Sequence, residues 1–257
     1  MIVHTIDGVT LPTQLCGPDW APTRLVVGHG LGGSDPSLKD HSDDSTRPVI
    51  EPVLAELGCR AAWYTARGHG TSNGWQGLGL DQYMWLRLAE DMHAVADTLS
   101  LSRYIAAGNS MGAATALCAG LQRPERVAGL IIYRPPLIWE ARQARHDQLV
   151  AWAKKLQASH PPGWSYYEAV RGAAECNLPP ISDARWTGLR STPILILCHG
   201  EDAIHPVSSG TALKSVLPHA RLEVAADEAS ARAEFPAVVA GWLRGVLAVL
   251  DEPHAEP

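Results

Sequence analysis

Short, nearly continuous apolar runs alternate along this chain with longer segments whose apolar residues recur every three or four positions. The runs "RLVVG", "YIAAG", "LIIY" and "PILIL" have the pattern of strands that are buried on both faces of a sheet. Segments such as "VIEPVLAELG" and "LAEDMHAVADTL" have helical spacing. Two alternating runs around "DG" near the start predict a hairpin. The order of these segments predicts a mostly parallel sheet covered by helices on both faces.

A long interruption divides the predicted sheet. Residues 134–190 separate "LIIY" from "PILIL", which is too long for a simple crossover. The interruption contains helical pieces and four tryptophans, Trp139, Trp152, Trp164 and Trp186. We therefore predict a core of residues 1–133 and 191–251, a helical lid of residues 134–190, and a disordered tail of residues 252–257.

Charge and cysteine content narrow the possible partners. A net charge of −6 with scattered Lys and Arg argues against a nucleic-acid partner, which requires a basic face. The five cysteines are an odd number, are widely spaced and include no CxxC pair, which is typical of reduced thiols in a cytoplasmic protein. The start does not resemble a signal peptide, and no uninterrupted apolar segment has the length of a bilayer span. We expect no membrane partner, and a homo-oligomer is left open.

The strongest chemical signal is "GNSMGA", which has the G-x-S-x-G pattern between a predicted strand and a predicted helix. Such a serine lies on a very tight turn with positive φ, so Gly108 and Gly112 must leave room for neighbouring backbone. The turn holds the hydroxyl of Ser110 at a helix N-terminus, where the dipole favours negative charge. The motif predicts Ser110 as a nucleophile.

Two further loops follow predicted strands. "GHGLGG" would place the backbone N–H of Leu31 beside that of Met111, so that the two could hold an oxyanion. A simple glycine turn is the alternative for this loop, and it lacks the Lys-Ser/Thr of a phosphate loop. Asp202 in "CHGEDAIHP" stands where a carboxylate could orient a histidine. It could also cap a turn before Pro206.

The motifs "HGLGGS", "ARGHGTS", "GNSMGA" and "HGEDAIHP" together resemble the α/β-hydrolase fold family, in its lidded serine hydrolase branch. The resemblance implies an eight-stranded, mostly parallel sheet flanked by helices. It also implies Ser110 as nucleophile, Asp202 as acid, and Leu31 and Met111 as oxyanion donors. Asp202 stands one residue closer to its "HG" than is usual in the family.

The histidine that the resemblance implies is missing. Counting back from "EFP" places it at position 229, where the chain has Ala229. Three explanations remain open. Ala229 could be an engineered substitution that inactivates the enzyme, the protein could be a naturally degenerate ligand binder or non-hydrolytic catalyst, or His205, three residues after Asp202, could supply a displaced base.

The sequence therefore predicts an esterase-like hydrolase of a small, largely apolar or aromatic carboxylic ester, thioester, lactone or C–C substrate. The lid tryptophans indicate the aromatic character, although they could equally pack the lid onto the core. Arg134, Trp139 and His205 are the predicted substrate-binding residues, and Arg134 could meet a substrate carboxylate. No set of side chains has metal-ligand spacing, and the expected chemistry needs no metal or cofactor.

Overall fold

The computed structural model describes residues 1–31, 46–72, 79–159 and 165–251, and these residues form one eight-stranded sheet. Its strands are β1 (Ile2–His4), β2 (Thr10–Cys16), β3 (Thr23–Gly28), β4 (Arg60–Tyr64), β5 (Tyr104–Asn109), β6 (Val127–Tyr133), β7 (Ile194–His199) and β8 (Arg221–Ala225). The predicted tail, Trp164, and Gly32 and Gly33 of the first glycine-rich loop lie outside the described residues.

The sheet is mostly parallel, as predicted. The strand order is β1-β2-β4-β3-β5-β6-β7-β8, and only the pairings of β1 with β2 and of β2 with β4 are antiparallel. Every residue of β5, β6 and β7 is buried, which explains their continuous apolar sequences. Because β3, β5, β6 and β7 run in parallel, the loops that follow them meet at one edge of the sheet.

Helices cover both faces of the sheet. They are α1 (Arg47–Leu54), α2 (Trp85–Thr98), α3 (Met111–Gln122), α4 (Trp139–Gln143), α5 (His146–Ser159), α6 (Ser165–Glu175), α7 (Val207–Val216) and α8 (Glu228–Asp251). Apolar side chains of α2, α3 and α7 form a core cluster on one face, and those of α1 and α8 form a second cluster on the other. Helices α4, α5 and α6 lie between β6 and β7, within the predicted lid, whose limits stay a prediction.

Helix α8 is long and apolar enough, by length and composition alone, to be a candidate membrane span among the described residues. A core helix meets the same criterion. Phe235, Val239 and Leu243 of α8 are buried in the second core cluster, so its apolar face already has a partner in the sheet. Packing inside the domain therefore explains the buried face of α8, which is about a third of its apolar window (33%).

A buried ion pair fixes the loop after β4. The guanidinium of Arg67 donates two hydrogen bonds of 2.6 Å to Asp91 on α2, and both side chains are only 1% exposed. Arg67 also donates to Asp7 at 3.0 Å. The same loop carries His69, whose ring packs edge-on against that of His29 at 4.9 Å. The ion pair thus supports the backbone that leads from β3 into the candidate site.

Replacing Asp91 by Asn should destabilise the fold by about 3 kcal/mol, because it leaves the buried Arg67 charge without its main partner. Urea unfolding measures this difference. Asp97→Asn on the same helix is the matched control, since the pair between Asp97 and Arg126 is exposed and should contribute less than about 1 kcal/mol. Equal losses in the two variants would contradict the anchoring role of Arg67 and Asp91.

Candidate active site

Ser110 occupies a strained turn between β5 and α3. Its backbone has φ 54° and ψ −110°, which confirms the positive φ expected from the motif. A side chain at Gly108 would collide with the backbone of Gly112, and one at Gly112 would collide with the carbonyl of Gly28. These close approaches explain both glycines of the motif. The crossing backbones hold Ser110 at the first turn of α3, above the edge of the sheet.

The side chain that reaches Ser110 is His205. Its Nε2 lies 2.7 Å from Ser110 Oγ, and its Nδ1 lies 3.0 Å from Asp202 Oδ2. Ser110, His205 and Asp202 therefore form one hydrogen-bonded chain. Nucleophile, base and acid are arranged in this order in serine hydrolases, where the acid orients the imidazole and stabilises its charged form. We had expected His205 only as a substrate-binding residue or a displaced base, and the structure brings it to both groups.

Asp202 is also the centre of a turn. Its Oδ1 accepts hydrogen bonds from the backbone N–H groups of Ile204 at 3.0 Å and His205 at 2.9 Å, while Arg134 Nε donates to Oδ2 at 2.7 Å. Asp202 thus makes both the turn contacts and the contact with a histidine, which the sequence gives as alternatives. Because the carboxylate binds the backbone of its own loop, it sets the position of the imidazole three residues later.

The charges around the chain favour a neutral imidazole and an ionised acid. Burial alone would raise the pKa of Asp202, but the backbone hydrogen bond from His205 and the charges of His205 and Arg134 lower it to about 2. Burial lowers the pKa of His205, Asp202 opposes that shift, and Arg134 adds to it, so the net pKa is below the usual value. With Nδ1–H directed at the carboxylate, Nε2 is free to accept the hydroxyl proton of Ser110.

Ala229 takes no part in this hydrogen-bonded chain, although its neighbour Glu228 lines the same cavity. Strand β8 ends at Ala225 and α8 begins at Glu228, so no long loop follows the last strand. Asp227 closes the junction by accepting a hydrogen bond from the N–H of Ser230 at 2.8 Å. Ala229 is exposed on the first turn of α8 and is not part of the lining of the cavity at Ser110.

A cavity of about 740 Å³ opens above Ser110, a volume in the range of small-molecule sites. Leu31 and Met111, the expected oxyanion donors, line it next to Ser110. Apolar side chains from the core and from α5 cover much of its wall: Trp85, Leu137, Leu149 and Trp152. Four arginines also line it: Arg134, Arg142, Arg145 and Arg232.

Trp139, a predicted substrate-binding residue, is placed outside the cavity lining. Its indole Nε1 donates to the carbonyl of Pro179 at 2.9 Å, its backbone N–H donates to Asn177, and its ring packs against Trp186 at 6.1 Å. These contacts are those of a residue that packs the helical segment onto the core. The structure therefore differs from the expectation for Trp139 and brings Trp85 and Trp152 to the cavity in its place.

The described residues contain no cluster of metal-ligating side chains. Within residues 1–31, 46–72, 79–159 and 165–251, no group of three or more His, Cys, Asp or Glu side chains could hold a metal ion. All five cysteines are buried free thiols.

The contact between His205 and Asp202 has a signal in the sequence. His205 follows Asp202 by three residues and precedes Pro206, a spacing at which an Asp-centred turn brings its own carboxylate close to a histidine side chain. Arg142 had no such signal, because its burial depends on the packing of α4 against α6.

Comparisons with known proteins agree with the architecture. The α/β hydrolase fold family matches residues 23–161, which is more than half of the chain. A Cronobacter sakazakii protein provisionally named carbamate hydrolase RutD is 24% identical over 217 residues, covering 67% of this chain and 80% of that protein. The 3-oxoadipate enol-lactonase 1 of Acinetobacter baylyi is 29% identical over 137 residues, covering 51% of this chain and 45% of that protein.

Solved structures give the same result for the fold. An esterase from Exiguobacterium antarcticum superposes with a TM-score of 0.72 at 18% identity, covering 95% of this chain and 99% of that one. An enol-lactonase from Burkholderia xenovorans LB400 superposes with a TM-score of 0.65, also at 18% identity, covering 95% of this chain and 97% of that one. At such identities the likeness concerns the fold alone. Together with the match over residues 23–161, the strand order and the turn at Ser110 show that this chain belongs to the α/β-hydrolase fold family.

Proposed function

We propose that this α/β-hydrolase cleaves a carboxylic ester or a related acyl substrate through an acyl-enzyme on Ser110, with His205 as the base and Asp202 as the acid. The observation that carries the proposal is the hydrogen-bonded chain, with 2.7 Å from Ser110 Oγ to His205 Nε2 and 3.0 Å from His205 Nδ1 to Asp202 Oδ2. The first distance is within the range for proton transfer from a nucleophile to its base, and the second is that of a hydrogen bond by which an acid orients the base.

In the first half-reaction, Oγ of Ser110 attacks the carbonyl carbon while its proton moves to Nε2 of His205. The carbonyl oxygen becomes an oxyanion, which the N–H groups of Leu31 and Met111 would stabilise. Asp202 stabilises the imidazolium. The intermediate then collapses, the bond from the carbonyl carbon to the leaving oxygen breaks, and Nε2–H of His205 donates its proton to that oxygen.

In the second half-reaction, a water molecule replaces the leaving group. His205 Nε2 takes a proton from the water as its oxygen attacks the acyl carbon. The second tetrahedral intermediate collapses by breaking the bond to Oγ, and the proton on Nε2 returns to Ser110. The products are the carboxylic acid and the alcohol, and Ser110 and neutral His205 are restored. No cofactor is required in this scheme.

This proposal changes the interpretation of Ala229. The sequence favoured an enzyme inactivated by alanine at the histidine position, with a degenerate binding protein as the alternative. Ala229 is not among the residues that line the cavity, and His205 already contacts Ser110. We therefore propose an active hydrolase in which one loop supplies both the acid and the base.

The substrate class follows from the cavity and from the relatives. Its size and its apolar walls suit a small molecule with an apolar part. Similar proteins named as an esterase and as enol-lactonases support open or cyclic carboxylic esters as the substrate. A cytoplasmic location belongs to the same proposal.

Replacing His205 by Ala should lower kcat/KM for a p-nitrophenyl ester by roughly a thousandfold or more, because Ser110 loses its proton acceptor. Steady-state kinetics measure the loss, with Ser110→Ala as the background. Ala229→His should change kcat/KM by less than about threefold, because His205 already supplies the proton acceptor of Ser110.

A fluorophosphonate probe gives an independent readout of the same variants. The unmodified protein should be labelled at Ser110, and His205→Ala should be labelled far more slowly. If Ala229→His instead raised labelling and turnover by orders of magnitude, the chain would be an inactivated enzyme. If Ser110 stayed unlabelled in every variant that folds, the protein would be a binder.

The pH profile of kcat/KM should have its acid limb below about pH 6.5, the usual pKa of histidine, because catalysis needs neutral His205 and burial lowers the pKa of that group. Activity is lost as the pH falls through this lowered pKa and His205 becomes protonated. Arg134→Gln removes a cation that lowers the pKa of His205. The acid limb of that variant should therefore move to higher pH.

Arg232→Gln is the matched control for the pH profile. Arg232 also lines the cavity, but it pairs with Glu228 and is not among the groups that shift the pKa of His205. Its acid limb should stay in place. An equal displacement in both variants, or none in Arg134→Gln, would rule out a direct effect of Arg134 on the base.

A further inference from the structure

Arg142 is a buried cation in the wall of the active-site cavity. The residue is only 8% exposed, and its guanidinium lies over the ring of Trp85 at 4.3 Å. It donates to the backbone carbonyl of Cys176 at 2.6 Å and to that of Ala173, at the C-terminal end of α6. The third acceptor is the carbonyl of Leu137 at 3.5 Å.

These contacts leave the charge of Arg142 only partly compensated. All of its acceptors in the described residues are carbonyls, and none is a carboxylate. The C-terminal end of a helix supplies the equivalent of about half a negative charge, so a positive excess remains. A buried charge is costly unless it is paired, which makes an unpaired guanidinium in a ligand cavity a candidate for a ligand contact.

Of the other three arginines in the cavity lining, two have a carboxylate partner and one has none among the described residues. Arg134 pairs with Asp202, and Arg232 pairs with Glu228. Arg145 is exposed at the cavity and donates to Gln148 at 3.2 Å, with no carboxylate contact among the described residues. The N–H of Arg145 donates to the carbonyl of Arg142, so the two residues stand on one helical turn. One wall therefore holds two cations without acidic partners.

We propose that the substrate carries a carboxylate in addition to its scissile acyl group, and that Arg142 and Arg145 bind this carboxylate and determine specificity. The inference rests on the proposed function, in that Ser110 of the same cavity cleaves the substrate. A planar guanidinium matches a carboxylate in geometry as well as in charge. The sequence predicts Arg134 as the residue that meets a substrate carboxylate, but Arg134 already donates to Asp202, so we assign this contact to Arg142 and Arg145.

Two esters of equal acyl length isolate the effect of the charge: mono-p-nitrophenyl glutarate, which ends in a carboxylate, and p-nitrophenyl pentanoate, which ends in a methyl group. The protein should favour the glutarate ester at least about tenfold in kcat/KM, and high salt should reduce that preference. Arg145→Gln should lower the ratio of the two kcat/KM values roughly tenfold, the loss expected from one partly screened charge pair.

Arg171→Gln is the matched control. Arg171 lies on α6, pairs with Glu175 and is not part of the cavity lining, so the same loss of one positive charge should leave the ratio unchanged. Arg145 is the main test position because it is exposed, whereas a change at Arg142 could release α6. A protein that prefers the pentanoate ester, or an equal fall of the ratio in both variants, would overturn the carboxylate site.

A binding experiment separates this inference from the proposed function. Ser110→Ala cannot form an acyl-enzyme, yet by calorimetry it should bind monoethyl glutarate at least about tenfold more tightly than ethyl pentanoate, with Arg145→Gln removing most of the difference. Preferential binding without turnover in the unmodified protein would overturn the hydrolase mechanism alone. Turnover of both esters with no preference in binding or in kinetics would overturn the carboxylate site alone.

Discussion

The site depends on the hydrogen bonds that the carboxylate of Asp202 accepts. It accepts hydrogen bonds from two backbone N–H groups of its own loop, from the imidazole of His205 and from the guanidinium of Arg134. Hydrogen bonds to a charged acceptor contribute about 1.5–3 kcal/mol each, and burial makes their loss costly. One group thereby fixes the loop after β7, the orientation of the imidazole and the end of β6 at the same time.

In the mechanism that we propose, one loop holds both the acid and the base, and this simplifies the geometry. His205 stands only three positions after Asp202, so their alignment follows from a local turn and not from the relative position of two loops. The remaining requirement is the distance to Ser110, which β5 and β7 set through their common neighbour β6. The junction after β8 needs no histidine, and Asp227 closes it as the start of α8. In this arrangement Arg134 and His205 both contact Oδ2 of Asp202, so the carboxylate oxygen is shared between them.

The buried strands and the turn at Ser110 could be predicted from the sequence, because each depends on the local pattern of residues. Continuous apolar runs define the buried strands, and the glycines around Ser110 define the turn, because steric exclusion acts on neighbours in the chain. The contact between His205 and Ser110 spans 95 residues, and the expectation for position 229 came from resemblance alone. Trp139 is predicted as a substrate-binding residue but lies outside the cavity lining, because its indole N–H donates to Pro179 on a distant segment. Neither partner is encoded in nearby sequence.

The difference between local pattern and distant contacts also explains why the sequence indicates an apolar substrate, whereas the cavity lining in the structure includes arginines. Counting tryptophans reports the composition of the helical segment, but it does not show which rings face the cavity. The face of Trp85 is covered by Arg142, so an aromatic surface and a cation occupy one wall. Apolar surroundings lower the local dielectric and strengthen the field of that cation at short range. In the carboxylate site that we propose, apolar lining and charge recognition are therefore complementary, because the apolar wall strengthens the attraction of Arg142 for an anion.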